Sequence, residues 1–327
     1  MNEQSNDVLA EEFRFFMTWG KYRDKLGLSI SEHEDVRLAV DKAYIDMSTR
    51  TIKGLSLKFK GNEALKNACK DGKWEEIKNK LIDDCKENLT DLIVKLFTDS
   101  KDKDDTCQET TNKDIEINNI YTKDKAEREI AENLTFKYKL AIISKYFLDE
   151  YKSAMNKLNK LISKVQNSDT YKYTIDVENI KYGKAQKIVN MTCKYLMLFS
   201  DASDYQKVFQ QCEMPLDSKI LEYYNNTIVT SLNESKNSKI QRCNTAWSNL
   251  EYDEYEDIQK NIKEFCESNK NTDLNLTGFP LIDEFTIWKT KSTKSINNHY
   301  FLTAVPCTAI FFLSIFHISP QPSTSST

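Results

Sequence analysis

Glycine and proline are scarce in this chain, seven and five residues among 327. Folds that need many tight turns, such as β-sandwiches, barrels and propellers, are therefore excluded. Three of the five prolines (Pro306, Pro320, Pro322) fall in the last 22 residues, so residues 1–305 carry only Pro215 and Pro280. Histidine is scarcer still, with only His33, His299 and His317. That excludes a multi-histidine metal site and argues against a Ser/His or Cys/His nucleophilic triad. No phosphate-loop, dinucleotide-binding, zinc-protease or C-x-x-C signature occurs either. The sequence implies no cofactor and no metal. Eight cysteines are scattered without short spacing, and the opening residues carry neither a basic nor an apolar leader segment. Reduced, mostly buried thiols in a cytoplasmic body are expected.

What is abundant is apolar periodicity near 3.6, so the expected fold is all-α, with at most one short strand or hairpin near 170–180. Leu9, Phe13, Phe16 and Trp19 place a helix over 7–25. Ser31-Glu32-His33-Glu34 reads as a capping box ahead of Val36, Val40, Ala43 and Met47, which share one helical face. His33 then lies in the first turn as an exposed side chain. Trp74, Ile77, Leu81, Cys85 and Leu89 mark another helix, followed by a charged, apolar-poor stretch. From 122 to 167 the helical pattern is nearly continuous, and its length predicts a break near Asp149–Glu150. Further helices are expected over 183–200, with Lys184, Lys187, Asn190 and Lys194 on or near its rim, from Ser218 with Asp217 or Ser218 as cap, and over 253–266. The organisation read from this is a helical region 1–97, a polar linker 98–121, a helical domain 122–290 and a hydrophobic tail 300–318.

That tail, YFLTAVPCTAIFFLSIFHI, is nineteen residues without formal charge, preceded by Lys289, Lys291 and Lys294. It meets the length of a membrane span, with the body on the cytoplasmic side. The competing readings are a buried core helix or a run-on of foreign sequence.

The net charge of −4 is unevenly spread. Residues 134–194 hold twelve lysines against five acids, whereas 250–285 hold ten acids against three lysines. A basic block in an acidic chain marks a candidate phosphate-facing surface, with DNA or another nucleic acid as partner. Solvated lysine faces are the plainer alternative.

The segments GKAQKIVNMTCKYL, CEMPLDSKIL and PLIDEFTIW resemble a group of uncharacterised bacterial helical proteins with a K-A-Q-K-x-x-N helix, a P-[LI]-D helix start and an E-F-x-I-W close. The resemblance covers roughly residues 180–290 and implies no assigned activity. Glu213 and Met214 stand where some of that group carry a histidine. A more distant similarity is to helix-hairpin-helix DNA glycosylases, especially the archaeal 8-oxoguanine enzymes. It implies a lysine nucleophile, Lys187 or alternatively Lys184, assisted by Asp217 thirty residues beyond Lys187. A desolvated amine would attack the sugar C1′ while the carboxylate moves protons. The glycine-rich DNA-gripping hairpin of that family is missing, with Gly183 alone in its place. Lys172, Lys181, Lys184 and Lys194 are the candidate nucleic-acid contacts, interleaved with Tyr171, Tyr173 and Tyr182. Two functional classes follow: a nucleic-acid-acting, glycosylase-like protein, or a non-enzymatic helical interaction protein held at a membrane by its tail.

Overall fold

The computed structural model describes residues 27–51, 73–101, 123–131, 134–165, 177–236 and 239–287 apart from 271, 273 and 275. Of these, 78% are helical and none forms a strand. A single isolated bridge, Lys270 to Leu276, is the nearest approach to a sheet among them. Within 170–180, the stretch where at most a short strand or hairpin is expected, Val177–Asn179 forms a 3-10 turn, and 170–176 lie outside the described residues.

Four long helices build the frame: α1 (His33–Thr51), α2 (Lys73–Ser100), α4 (Phe136–Val165) and α5 (Tyr182–Leu196), with the short α3 (Lys123–Ala131) before α4. α1 packs on α2 and α5, and α4 packs on the same two, so the four close into a ring. Val36, Val40, Ala43 and Met47 on α1 are all buried, as their spacing requires. From α2, Leu89, Leu92, Ile93, Leu96 and Phe97 fill the interior. Phe97 meets the rings of Phe136 and Phe209 at 5.7 and 5.5 Å.

The entry to α1 differs from the expected capping box. The helix starts at His33, so Ser31 sits one residue too early to cap it. The Asp35 carboxylate instead accepts the Ser29 N–H at 2.9 Å. Asp201 accepts the Ile30 N–H at 3.0 Å and the Ser29 hydroxyl at 2.7 Å, pinning this entry to the turn after α5.

α4 also departs from expectation. Its thirty residues run unbroken through Asp149–Glu150, and the chain breaks instead between Ala131 and Phe136. Tyr146, Phe147, Leu148, Tyr151, Ala154, Met155 and Leu158 are buried on both sides of the acidic pair. Packing on α2 and α5 therefore sustains a length that local propensity alone would not. α2 likewise continues to Ser100, into the stretch read as linker. The helices on either side of 98–121 share one core, and every described residue falls in one unit spanning 26–288.

Beyond α5 the chain is built from short pieces: α6 (Gln206–Phe209), α7 (Ser218–Tyr223), a π-helical turn (Tyr224–Ile228), α8 (Val229–Lys236), a 3-10 turn (Trp247–Asn249), α9 (Tyr252–Ser268) and α10 over 280–287. Carboxamide side chains tie them together. Asn225 accepts the Cys243 N–H at 2.8 Å and donates to its carbonyl at 2.7 Å. Asn233 does the same to Ile240, at 2.8 and 3.0 Å. These pairs satisfy backbone groups that belong to no helix or strand among the described residues. The helix expected over 7–25 and the tail 300–318 lie outside the described residues. Among those described, no helix is long and apolar enough to cross a membrane.

Candidate functional site

α5 carries the K-A-Q-K-x-x-N motif and is buried almost all round, with only Lys184 and Met191 at intermediate exposure. A helix so enclosed must satisfy each of its polar side chains internally. Gln186 donates to the Gly183 carbonyl at 2.9 Å and accepts from Asn190 at 3.1 Å. Asn190 also donates to the Tyr255 hydroxyl at 2.8 Å, which donates in turn to Glu213 at 2.6 Å. Lys137 stands 3.5 Å from both Glu213 and Glu256. Gln259 bridges the Met214 N–H and carbonyl at 3.3 and 2.6 Å. The motif residues Gln186 and Asn190 thus anchor a polar network joining α5, α9 and the segment before α7.

Burial raises the Glu213 carboxyl above the ordinary range, with the Lys137 charge and the Tyr255 hydrogen bond opposing it. A carboxyl whose pKa rises on folding favours the fold below its unfolded pKa, and that contribution is lost as pH rises through the folded value. The Glu213→Gln variant cannot titrate. Its stability relative to the parent should therefore increase as pH rises above the ordinary carboxylate range in thermal unfolding. A difference independent of pH would show that the carboxylate is fully compensated by Lys137.

The second centre contains the residues singled out for catalysis. Lys187 is 9% exposed, and its ammonium lies 4.2 Å from the centroid of the Trp247 ring. Lys194 is 6% exposed and Glu284 2%. Their charged atoms stand 2.5 Å apart, although Glu284 Oε2 has no well-aligned hydrogen bond. Burial pushes the Glu284 carboxyl up. Lys194 pulls it back most strongly, while Asp217 adds to the rise and Lys187 opposes it. Lys187, Lys194, Asp217 and Glu284 therefore share one electrostatic neighbourhood, between α5, the start of α7 and α10.

Each member already has an internal task. Asp217 caps α7, its Oδ1 accepting the Lys219 and Ile220 N–H groups at 2.8 and 2.9 Å. Lys184 donates to the Asn179 carbonyl at 2.7 Å, and Lys181 pairs with Glu251 at 2.8 Å. Lys172 lies outside the described residues. Lys187, Asn190 and Lys194, which the sequence placed on or near the rim of the helix, face the interior. Two surface cavities, of about 550 and 200 Å³, are lined by residues of α2 and α3 and by Lys145, Leu148, Lys152, Tyr182 and Glu251–Asp253. Neither contains Lys187 or Asp217.

Sequence reasoning missed Glu284 and Trp247 as partners of these lysines. The signal for Glu284 was present, since it opens the E-F-x-I-W segment. Among the described residues, metal-ligating side chains gather at His33, Glu87 and Asp91, on the α1–α2 face. No protein-family model, curated protein or solved structure matches the chain.

Proposed function

We propose that this chain is a non-enzymatic helical interaction protein whose ligand is a polyanion, with nucleic acid the first candidate, bound on the outer face of α4. The observation that supports this is the charge pattern of the last turns of that helix. From Tyr151 to Val165 it carries Lys152, Lys157, Lys160 and Lys164 with no acid, and Lys157 and Lys160 are exposed beside Ser153 and Asn156. Lys157 and Lys160, about one turn apart on the exposed side, suit phosphate contact. The wider basic block contributes less than its count suggests, because Lys139, Lys187 and Lys194 turn inward. Against catalysis stand the commitments of Lys187 to Trp247 and of Asp217 to its cap.

The test is binding of single-stranded and duplex oligonucleotides by the full chain across a salt series, with borohydride trapping on lesion-bearing duplex. Affinity should fall steeply with salt, and Lys157→Gln with Lys160→Gln should reduce the log–log slope by about 2. No covalent adduct should form. Binding that ignores salt or the double substitution would remove the polyanion, and an adduct lost in Lys187→Gln would establish the enzyme instead.

A further inference from the structure

We propose that His33, Glu87 and Asp91 form a binding site for a first-row divalent metal ion, bridging α1 and α2. The two carboxylates stand one turn apart on α2, and His33 opens α1 directly opposite them. Its Nε2 lies 3.0 Å from Asp91 Oδ1 and 3.4 Å from Glu87 Oε1. One ligand atom from each residue falls within 4.8 Å of the other two. An ion bound at about 2.0–2.2 Å by nitrogen and oxygen donors fits a triangle of that size.

The outward oxygens are held separately. Arg37 Nη1 bonds Glu87 Oε2 at 2.5 Å, and Lys123, from α3, bonds Asp91 Oδ2. Each carboxylate thus turns one oxygen toward a fixed cation and the other toward the imidazole. Such outer partners fix the orientation of ligating groups before the ion arrives. Lys123 offsets the Asp91 charge, whereas Arg37 is shared with Asp41 and Asp83, so Glu87 keeps part of its negative charge for the ion. One nitrogen and two oxygens select zinc, cobalt or nickel over calcium or magnesium. His33, Glu87 and Asp91 are 33%, 51% and 39% exposed. Water therefore completes the coordination shell, and entry from solvent is direct. On binding, the Nε2 proton leaves to solvent or moves to Nδ1, and its hydrogen bond to Asp91 is replaced by the metal bond.

The experiment is titration of the full chain with cobalt(II) after chelator treatment, followed by visible absorption and by proton NMR of the histidine rings. Cobalt is chosen because eight cysteines compete for zinc, and a thiolate would announce itself by an intense charge-transfer band. The expected result is one ion per chain, weak ligand-field bands without the thiolate band, and a paramagnetic shift of the His33 ring protons. Affinity should fall at least about tenfold in His33→Gln and in Glu87→Gln. Zinc should raise the Tm of the parent but not of His33→Gln. The His33 ring shift is read on the parent protein, so it stands even where a variant folds poorly. Absent saturation, a thiolate band, an unshifted His33 ring, or equal affinity in well-folded variants would each overturn the site.

Discussion

Replacing Lys194 by methionine should destabilise the fold by about 3–5 kcal/mol, the range measured when one partner of a buried ion pair is removed. Lys194 and Glu284 are both buried, and their charged atoms meet at 2.5 Å. Methionine restores the bulk of the lysine stem, so the loss is electrostatic rather than a cavity. Glu284 would keep the repulsive field of Asp217 and only the weaker attraction of Lys187. Its pKa, already raised by burial, would rise further, so the deficit should be largest near neutrality and shrink on acidification. Lys194→Met combined with Glu284→Leu removes both charges and should recover most of the loss. Urea unfolding followed by circular dichroism measures all three proteins. A single-variant deficit under about 1 kcal/mol would mean that the pair behaves like a surface ion pair in solution.

The helical framework was legible because it depends on apolar spacing. Val36, Val40, Ala43 and Met47 could be assigned to one buried face from their intervals alone, and all four are buried. Lengths were less legible. Nothing local marks α4 as thirty residues, since its continuity across Asp149–Glu150 comes from tertiary packing by Tyr146, Phe147, Tyr151 and Met155. The entry to α1 was misread for a similar reason. Its stabilising carboxylate, Asp201, lies 171 residues from the Ile30 amide that it accepts.

The candidate site was legible in identity and illegible in burial. Lysine, asparagine and glutamine are residues of solvated helix faces by default. Lys187, Asn190 and Lys194 therefore read as rim residues. Each is buried because a partner distant in sequence receives it: Trp247, Tyr255 and Glu284 respectively. The same blindness hid Asn225 and Asn233, which look generic in an asparagine-rich chain. Both clamp the backbone of 240–243 in the way a neighbouring strand would. The sequence offers Asp217 or Ser218 as the cap; the carboxylate of Asp217 takes that place, and its fitness for the task is what leaves it little freedom for another.

Gly183→Ala should destabilise the protein by about 1–3 kcal/mol, opposite in sign to its helix propensity. In a helix, glycine costs roughly 0.5–1 kcal/mol relative to alanine, so propensity alone predicts a gain. At this position a Cβ would stand 1.8 Å from the Trp247 carbonyl oxygen and 3.3 Å from Leu250 Cβ. The obstacle is backbone, held in place by the bond from the Gly183 N–H to the Leu250 carbonyl at 2.9 Å. Making room for the methyl means moving the 3-10 turn at 247–249, and with it the ring over Lys187. A shifted ring would leave a buried ammonium less well compensated, adding an electrostatic cost to the steric one. Two measurements separate these costs. Gly183→Ala alone reports both by urea unfolding, and the same change in a Lys187→Met background reports only the steric part. The deficit should be smaller in that background. A stabilised Gly183→Ala protein would mean that the turn yields freely and that Trp247 does not lock Lys187 in place.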